Sequence, residues 1–310
     1  MEEKLEIMNL LQNKQLLENE LKSLAYGSVE IRENESNKYI YVHYREDGVA
    51  LTKYVGEYSN ELYNLVLNNS IKAKELKKQI REINKKLKQL NYIEEDLSEK
   101  VVQNIDFAKR HLVDTIYKQA ILEGVATTFA DTESIIEGGK VNNMTSEDIM
   151  KIVNLKHAWE FILNKNVILS NTNFTLLCEI NKMVEEGFYY SAGKVRNVPV
   201  TIGGTTWKPN LPIESVIKEE LEKIFNDEMD DIDRAIELLL YTIKKQVFID
   251  GNKRTSVIFC NHYLISKGKG IISIPAELTA KFKDLLISYY EGKDEKQIKK
   301  FIKEKCYMGI

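Results

Sequence analysis

Residues 246–256 read QVFIDGNKRTS. To the left the apolar-periodic segment YTIKK ends. To the right TSVIFCNHYLISKG begins another, so DGNKR is a turn between two helices. Gly251 lets the backbone approach a ligand closely. The amides of Gly251, Asn252 and Lys253 open the second helix, and free amides at a helix start, backed by the helix dipole, form an anion seat. Arg254, one turn in, can fork onto phosphate oxygens. Asp250 is placed to hold a divalent cation that bridges phosphates. Taken alone, the stretch also reads as a capped interhelical turn with a surface ion pair.

The chain around it has 310 residues, 43% hydrophobic and 29% charged, an ordinary globular balance with length for one large domain or a domain plus an appendage. A formal net charge of −3 gives no global attraction to nucleic acid or to an anionic membrane. Cys178, Cys260 and Cys306 lack metal spacing and read as buried, reduced thiols. The start, MEEKLEIMNL, carries no signal-peptide pattern, and no apolar run has the length of a membrane span. The expectation is a soluble cytoplasmic protein.

All four prolines, Pro199, Pro209, Pro212 and Pro275, lie in the last third, so the first 198 residues are free of the strongest helix breaker. Leu5, Met8, Leu11, Leu16, Leu17, Leu21 and Leu24 have near-helical spacing over 3–25. Strand alternation follows in KYIYVHY, where Ile40, Val42 and Tyr44 oppose Tyr39, Tyr41 and His43. Flanking strands are expected at 28–33 and 49–55, with ENESNK as one turn and Asp47-Gly48 as a hairpin signal. From Tyr58 to Leu97 the helical period returns, with Leu62, Leu65, Leu76, Ile80, Ile83, Leu87 and Leu90 as its stripe. This gives a domain 1–100: two antiparallel helices with a β-meander at their tip, its tyrosines in the sheet's core. Its lysines and arginine between Lys72 and Lys88 read as a solvated face, or less favourably as a nucleic-acid stripe. Helices are expected over 101–129, 146–164, 172–187, 213–226, 231–248, 252–267, 277–291 and 294–305, with Thr145 and Asp148 capping the second. Residues 192–212, AGKVRNVPVTIGGTTWKPNLP, read as a loop carrying a short exposed hairpin.

Three segments together resemble the Fic/Doc family. Phe248, Asp250, Gly251, Asn252, Lys253 and Arg254 match its His-x-Phe-x-Asp/Glu-Gly-Asn-Gly/Lys-Arg loop in register. AGKVRNVPVTIGG resembles its Ala-Gly-x-x-Arg segment and β-hairpin flap. IIEGG, Ile135 to Gly139, resembles the core of its inhibitory Glu-Gly/Asn motif. The resemblance covers 101–310 and implies a mainly α fold, a Fic-type helical bundle with a β-hairpin flap, beside the N-terminal helical hairpin and meander. It implies a nucleotidyltransferase moving AMP from ATP to a Ser, Thr or Tyr hydroxyl of a target protein; the Doc branch moves a phosphate instead. By position, Asp250 would bind Mg²⁺ or Mn²⁺. Asn252, Arg254 and the amides of Gly251, Asn252 and Lys253 would hold the nucleotide. Glu137 would regulate, and Val200, Thr201, Ile202 and Gly203 would clamp the target segment as an added strand.

Four departures matter. Gln246 stands where the family has its catalytic histidine, and an amide cannot carry a proton away. His43, His111, His157 and His262 offer no replacement by spacing. Lys253 and Val257, where AMP-transferring members have glycine and a second arginine, lean toward the Doc pattern. Glu133 replaces the Ser or Thr expected four residues before Glu137, whose usual arginine partner is here Val257. Three readings follow: a transferase impaired or altered by Gln246; a nucleotide-binding pseudoenzyme signalling through residues 1–100; and, less favoured, an interaction protein or nucleic-acid binder acting through residues 1–100. Homo-oligomerisation stays open, and no membrane partner is expected.

Overall fold

The computed structural model describes residues 2–34, 37–46, 49–90, 92, 97–142 and 144–310. The chain divides into two compact units, Met1–Glu94 and Glu95–Ile310. The division precedes the expected one at 100, because the helix starting at Glu99 packs within the second unit.

In the first unit, helix α1 (Glu2–Ser23) leads into strands β1 (Ser28–Asn34), β2 (Asn37–Glu46) and β3 (Val49–Glu57), then helix α2 (Asn60–Gln89). The strands form an antiparallel meander in the order β1-β2-β3. Both turns named in the sequence, at Glu35-Ser36 and Asp47-Gly48, lie outside the described residues. The helices run antiparallel: Ser70 bonds Gly27, and further along α2 Lys72 pairs with Glu20. Ser59 caps α2 by accepting from the Leu62 amide. Alternation in β2 puts Ile40 and Val42 into a core with Val66 of α2, which Val29, Tyr44, Val55, Leu62 and Tyr63 flank. The core position on α2 is Val66, while the expected Leu65 is exposed. Tyr39 and Tyr41 lie on the opposite face, where both rings meet Tyr54, at 6.2 and 5.4 Å. Each packs its ring at a tilt against Tyr54 there instead of filling the core, which the smaller Ile40 and Val42 already occupy.

The second unit is helical: α3 (Glu99–Arg110), α4 (Leu112–Leu122), α5 (Phe129–Ile136), α6 (Ser146–Ile162), α7 (Lys165–Ile168), α8 (Phe174–Val184), α9 (Glu214–Asn226), α10 (Asp231–Lys245), α11 (Asn252–Ser266), α12 (Thr279–Tyr290) and α13 (Glu295–Phe301). The expected helix 101–129 is two helices in the structure, α3 and α4, and a turn that leads to α5 at Phe129. It breaks at His111, whose Nδ1 donates to the Phe107 carbonyl at 2.9 Å, and again at Gly124, which takes a left-handed φ of 80°. Thr128 then caps α5. The segment expected as helix 294–305 ends its α-helical part at Phe301 and passes through a wider turn into β5 (Tyr307–Met308). That strand pairs with β4 (Ile271–Ile272), a two-stranded sheet the sequence reading missed.

Helix α11 is the axis of this unit. Every residue from Asn252 to Ile265 except Lys253 is buried, and α3, α6, α7, α8, α10 and β4 pack against it. A helix apolar on all sides must be surrounded, and its polar exceptions need partners. Asn261 bonds both the amide and the carbonyl of Ile272. His262 donates from Nε2 to the Val167 carbonyl at 2.9 Å, so its Nδ1 accepts from the Thr172 hydroxyl at 2.8 Å.

Residues 197–212 contain no strand, so the expected hairpin lacks its ladder. Pro199, Pro209 and Pro212 supply no amide hydrogens. Arg196 takes the Val198 and Asn210 carbonyls, each at 2.7 Å. The segment is fastened to α12 instead: Thr205 donates to Glu291 at 2.9 Å and Trp207 stacks on Tyr290 at 5.3 Å.

Candidate phosphate-binding site

Helix α10 ends at Lys245, and Gln246 terminates it in the left-handed region, φ 48°, the one non-glycine residue so placed among those described. Such a conformation is costly for a side chain bearing a Cβ and needs external support. Arg196 supplies it. Its Nε donates to the Gln246 carbonyl at 2.6 Å, and its own amide bonds Val247 O at 3.0 Å. The guanidinium is 3% exposed, spends its donors on carbonyl oxygens, and burial draws its pKa down. The arginine of the AGKVR segment therefore straps the turn through main-chain carbonyls.

Val247 and Phe248 plunge into the core, and the chain reverses at Gly251, φ 72°. Asn252, the first residue of α11, folds its side chain back over the turn: Oδ1 accepts from the Phe248 amide at 2.9 Å, and Nδ2 donates to Phe248 O at 2.8 Å and Gln246 Oε1 at 3.2 Å. Gln246 Nε2 donates to Ile243 O at 2.8 Å. Both ends of the glutamine amide are thus engaged. Asn181 of α8 locks the other side, donating to Asp250 O at 3.0 Å and Thr255 Oγ1 at 3.1 Å while accepting from the Gly193 amide at 2.8 Å. Gln119 of α4 holds the next turn through Arg254 O at 2.7 Å and is held in turn by Trp159 Nε1.

No side chain caps the start of α11, and the amides of Asn252 and Lys253 have no partner among the described residues. The Gly251 amide donates to Asp250 Oδ1 at 2.7 Å. Asp250 itself is half exposed. The turn is therefore an open nest of backbone donors with one carboxylate on its rim.

Arg254 does not lie open to that nest. It is 3% exposed, and Nη2 sits 2.7 Å from Glu185 Oε1, with Glu123 Oε2 at 3.8 Å from Nε and Asp250 Oδ1 at 3.9 Å. Lys253 Nζ reaches Glu123 Oε1 at 3.5 Å. Glu123 and Glu185 cap the C-terminal ends of α4 and α8, so three helices meet at one guanidinium. Nε and Nη1 of Arg254 and Oε1 of both glutamates have no aligned hydrogen-bond partner. Burial pushes the Glu185 carboxyl up, to about 7, with the Arg254 charge opposing it.

The predicted residues Gln246, Asp250, Gly251, Asn252, Lys253 and Arg254 come together on this one turn. Val257 points into the apolar core at 1% exposure. Glu137 ends α5 with an exposed side chain, and no ion pair joins it to Arg254 among the described residues. Val200, Thr201, Ile202 and Gly203 alternate half-buried and exposed along the 197–212 segment. Sequence reasoning missed Glu123 and Glu185, which arrive from distant helix ends, and Asn181 and Gln119, whose only local sign is a polar residue on an apolar helix face.

Residues 171–264, which contain the turn, match the model of the Fic/DOC family. The chain's mainly helical architecture is that of Fic-domain structures. Fic-1 of C. elegans (residues 134–508) superposes with a TM-score of 0.53 at 17% identity, over 78% of this chain and 79% of that one. A Fic domain-containing signaling protein from Bacteroides thetaiotaomicron gives 0.52 at 16%, over 68% and 87%. A Fic family protein from Desulfovibrio desulfuricans gives 0.52 at 12%, over 67% and 72%. A comparison with curated proteins finds no match. No helix among the described residues is long and apolar enough to cross a membrane.

Proposed function

We propose that the chain is a Fic-type transferase that seats the phosphates of ATP on the 250–254 turn and passes AMP to a Ser, Thr or Tyr hydroxyl of a target protein, slowly because of Gln246. The observation that carries this reading is the uncapped start of α11, where the Asn252 and Lys253 amides are free beside left-handed Gly251. Asp250 suits a magnesium or manganese ion that arrives with the nucleotide: one accessible carboxylate plus phosphate oxygens is the usual set for such an ion. No group of three or more His, Cys, Asp or Glu among the described residues could hold a metal without the nucleotide. Bound there, the ion would neutralise phosphate charge.

In the transfer, the acceptor oxygen bonds to the α-phosphorus as the bond to pyrophosphate breaks, and the hydroxyl proton must leave. Gln246 has no site for it. The proton goes to water or a phosphate oxygen, at a cost of roughly 10²–10⁴-fold in rate against a positioned base. A second reading, nucleotide binding without turnover, is favoured by the same residue, since both ends of its amide are already bonded. Incubation with α-labelled or γ-labelled ATP, Mg²⁺ or Mn²⁺ and lysate separates the readings. Transfer of α label that rises by roughly 10²–10⁴-fold in Gln246→His supports AMP transfer. Label from the γ position alone means phosphate transfer. Calorimetric ATP binding with no label from either protein leaves the non-catalytic reading.

A further inference from the structure

The turn that offers free amides also holds an arginine that is not free. We infer that Glu185 is a specificity-determining residue of the phosphate seat: its carboxylate holds the face of Arg254 that a ligand's second and third phosphates would otherwise take. This rests on the reading of the turn as a phosphate seat, and on four observations independent of the helix start. Glu185 Oε1 is 2.7 Å from Arg254 Nη2, and the two side chains are 2% and 3% exposed. The contact lies against the turn itself, since a Cβ on Gly251 would fall onto Glu185 Oε1. Glu123 takes the other side of Arg254 and also draws in Lys253. Finally, Arg254 Nε and Nη1 have no aligned partner, so the guanidinium keeps donor capacity that two internal carboxylates do not use.

The charges explain the consequence. Three carboxylates, Glu123, Glu185 and Asp250, face two cations, Arg254 and Lys253, so the main-chain amides are what attracts an anion. Amides position a phosphate but neutralise none of its charge, whereas a free guanidinium binds it bidentately. A buried charge stripped of its partner seeks another, because an uncompensated ion in the interior is strongly unfavourable. Replacing Glu185 by its neutral isostere therefore turns Arg254 from an internal partner into a ligand-binding one. The native seat holds the outer phosphates of a polyphosphate, ATP included, less tightly than a seat with a free Arg254 would, and Glu185 sets that difference. Glu123, farther from the guanidinium at 3.8 Å, contributes less.

The test uses the full chain and inorganic phosphate, pyrophosphate and tripolyphosphate as calorimetric probes, with circular dichroism and thermal melting to establish the fold of each variant. Glu185→Gln is expected to tighten tripolyphosphate binding by about tenfold or more, the worth of one charge-assisted contact. The gain should shrink for pyrophosphate and nearly vanish for phosphate. Glu185→Asp, which keeps the charge but withdraws it from Arg254, moves the same way by less and stands in if the glutamine variant does not fold. Glu123→Gln gains less than Glu185→Gln, and adding Arg254→Gln to Glu185→Gln abolishes the gain. A folded Glu185→Gln that binds tripolyphosphate no tighter than the native chain overturns the inference while leaving the seat in place. A gain that survives removal of Arg254 overturns it as well, since it would reflect net charge alone. If tripolyphosphate binds neither native nor variant protein, both the inference and the phosphate-seat reading fall.

Discussion

Lowering pH should act on this fold through His262, whose ring is bonded to Val167 and Thr172. The imidazole is fully buried in α11, and its two ring nitrogens are already committed, Nε2 as donor to Val167 O and Nδ1 as acceptor from Thr172. Burial draws its pKa down from 6.5 to about 4, with the Val167 carbonyl opposing. In the unfolded chain the ring takes up a proton below about 6.5. In the folded chain it stays neutral until about 4. Between those values protons bind the unfolded state alone and pull the equilibrium toward it. The stabilisation is therefore complete above pH 6.5, declines through the window from 6.5 to about 4, and is constant below. At about 1.4 kcal/mol per pH unit the whole window is worth about 3 kcal/mol. Urea denaturation of native protein and His262→Gln across pH 4–8 measures it, because the carboxylates common to both cancel in the difference. The native advantage at pH 7 is expected to shrink by about 3 kcal/mol at pH 4. A difference that stays flat with pH refutes the assignment of a neutral, desolvated imidazole.

Two further outcomes test the frame around the turn. Asn181→Leu fills the same space but orphans the Gly193 amide and the Asp250 carbonyl, both bonded to Asn181 in the native chain; a loss of about 3–5 kcal/mol in urea titrations is expected, and one below about 1 kcal/mol contradicts the bolt. Gly251→Ala must strain a φ of 72° and displace Glu185, whereas Gly203→Ala meets nothing within 4 Å. The first should cost at least about 2 kcal/mol and the second stay within about 0.5 kcal/mol, both read as shifts in the denaturation midpoint.

How much of this could be read beforehand depends on how local each feature is. The DGNKR turn was legible because glycine, amides and the helix start are contiguous, and no distant residue is needed to form the reversal. The alternation of Ile40 and Val42 similarly names the core face of the meander. The carboxylates on Arg254 were not legible. Glu123 and Glu185 reach it from the ends of α4 and α8, and no spacing in the sequence connects them. The missing hairpin has a different cause: Val198 to Ile202 has strand-forming composition, but Arg196 removes the carbonyls and the prolines lack the amides that a ladder requires. The break at His111 carries neither glycine nor proline, so propensity gave no warning of it.

The position of Gln246 shows what holds this turn together with an amide side chain at its head. A side chain at φ 48° pays a local conformational cost, and a glycine there would avoid it. The glutamine nevertheless contributes three attachments that glycine would not supply together: its carbonyl receives Arg196, its Nε2 closes the last turn of α10 at Ile243, and its Oε1 receives Asn252 at the first turn of α11. Two of the three use the side-chain amide, with a donor at one end and an acceptor at the other. That requirement matches glutamine as well as it would match a neutral imidazole, which also offers one donor and one acceptor. The geometry of the turn therefore does not require a proton-transferring group at 246. In this chain the helix-to-helix reversal depends on the hydrogen-bonding pattern at 246, and the open start of α11 depends on the reversal, so the anion seat proposed there does not need a base at 246.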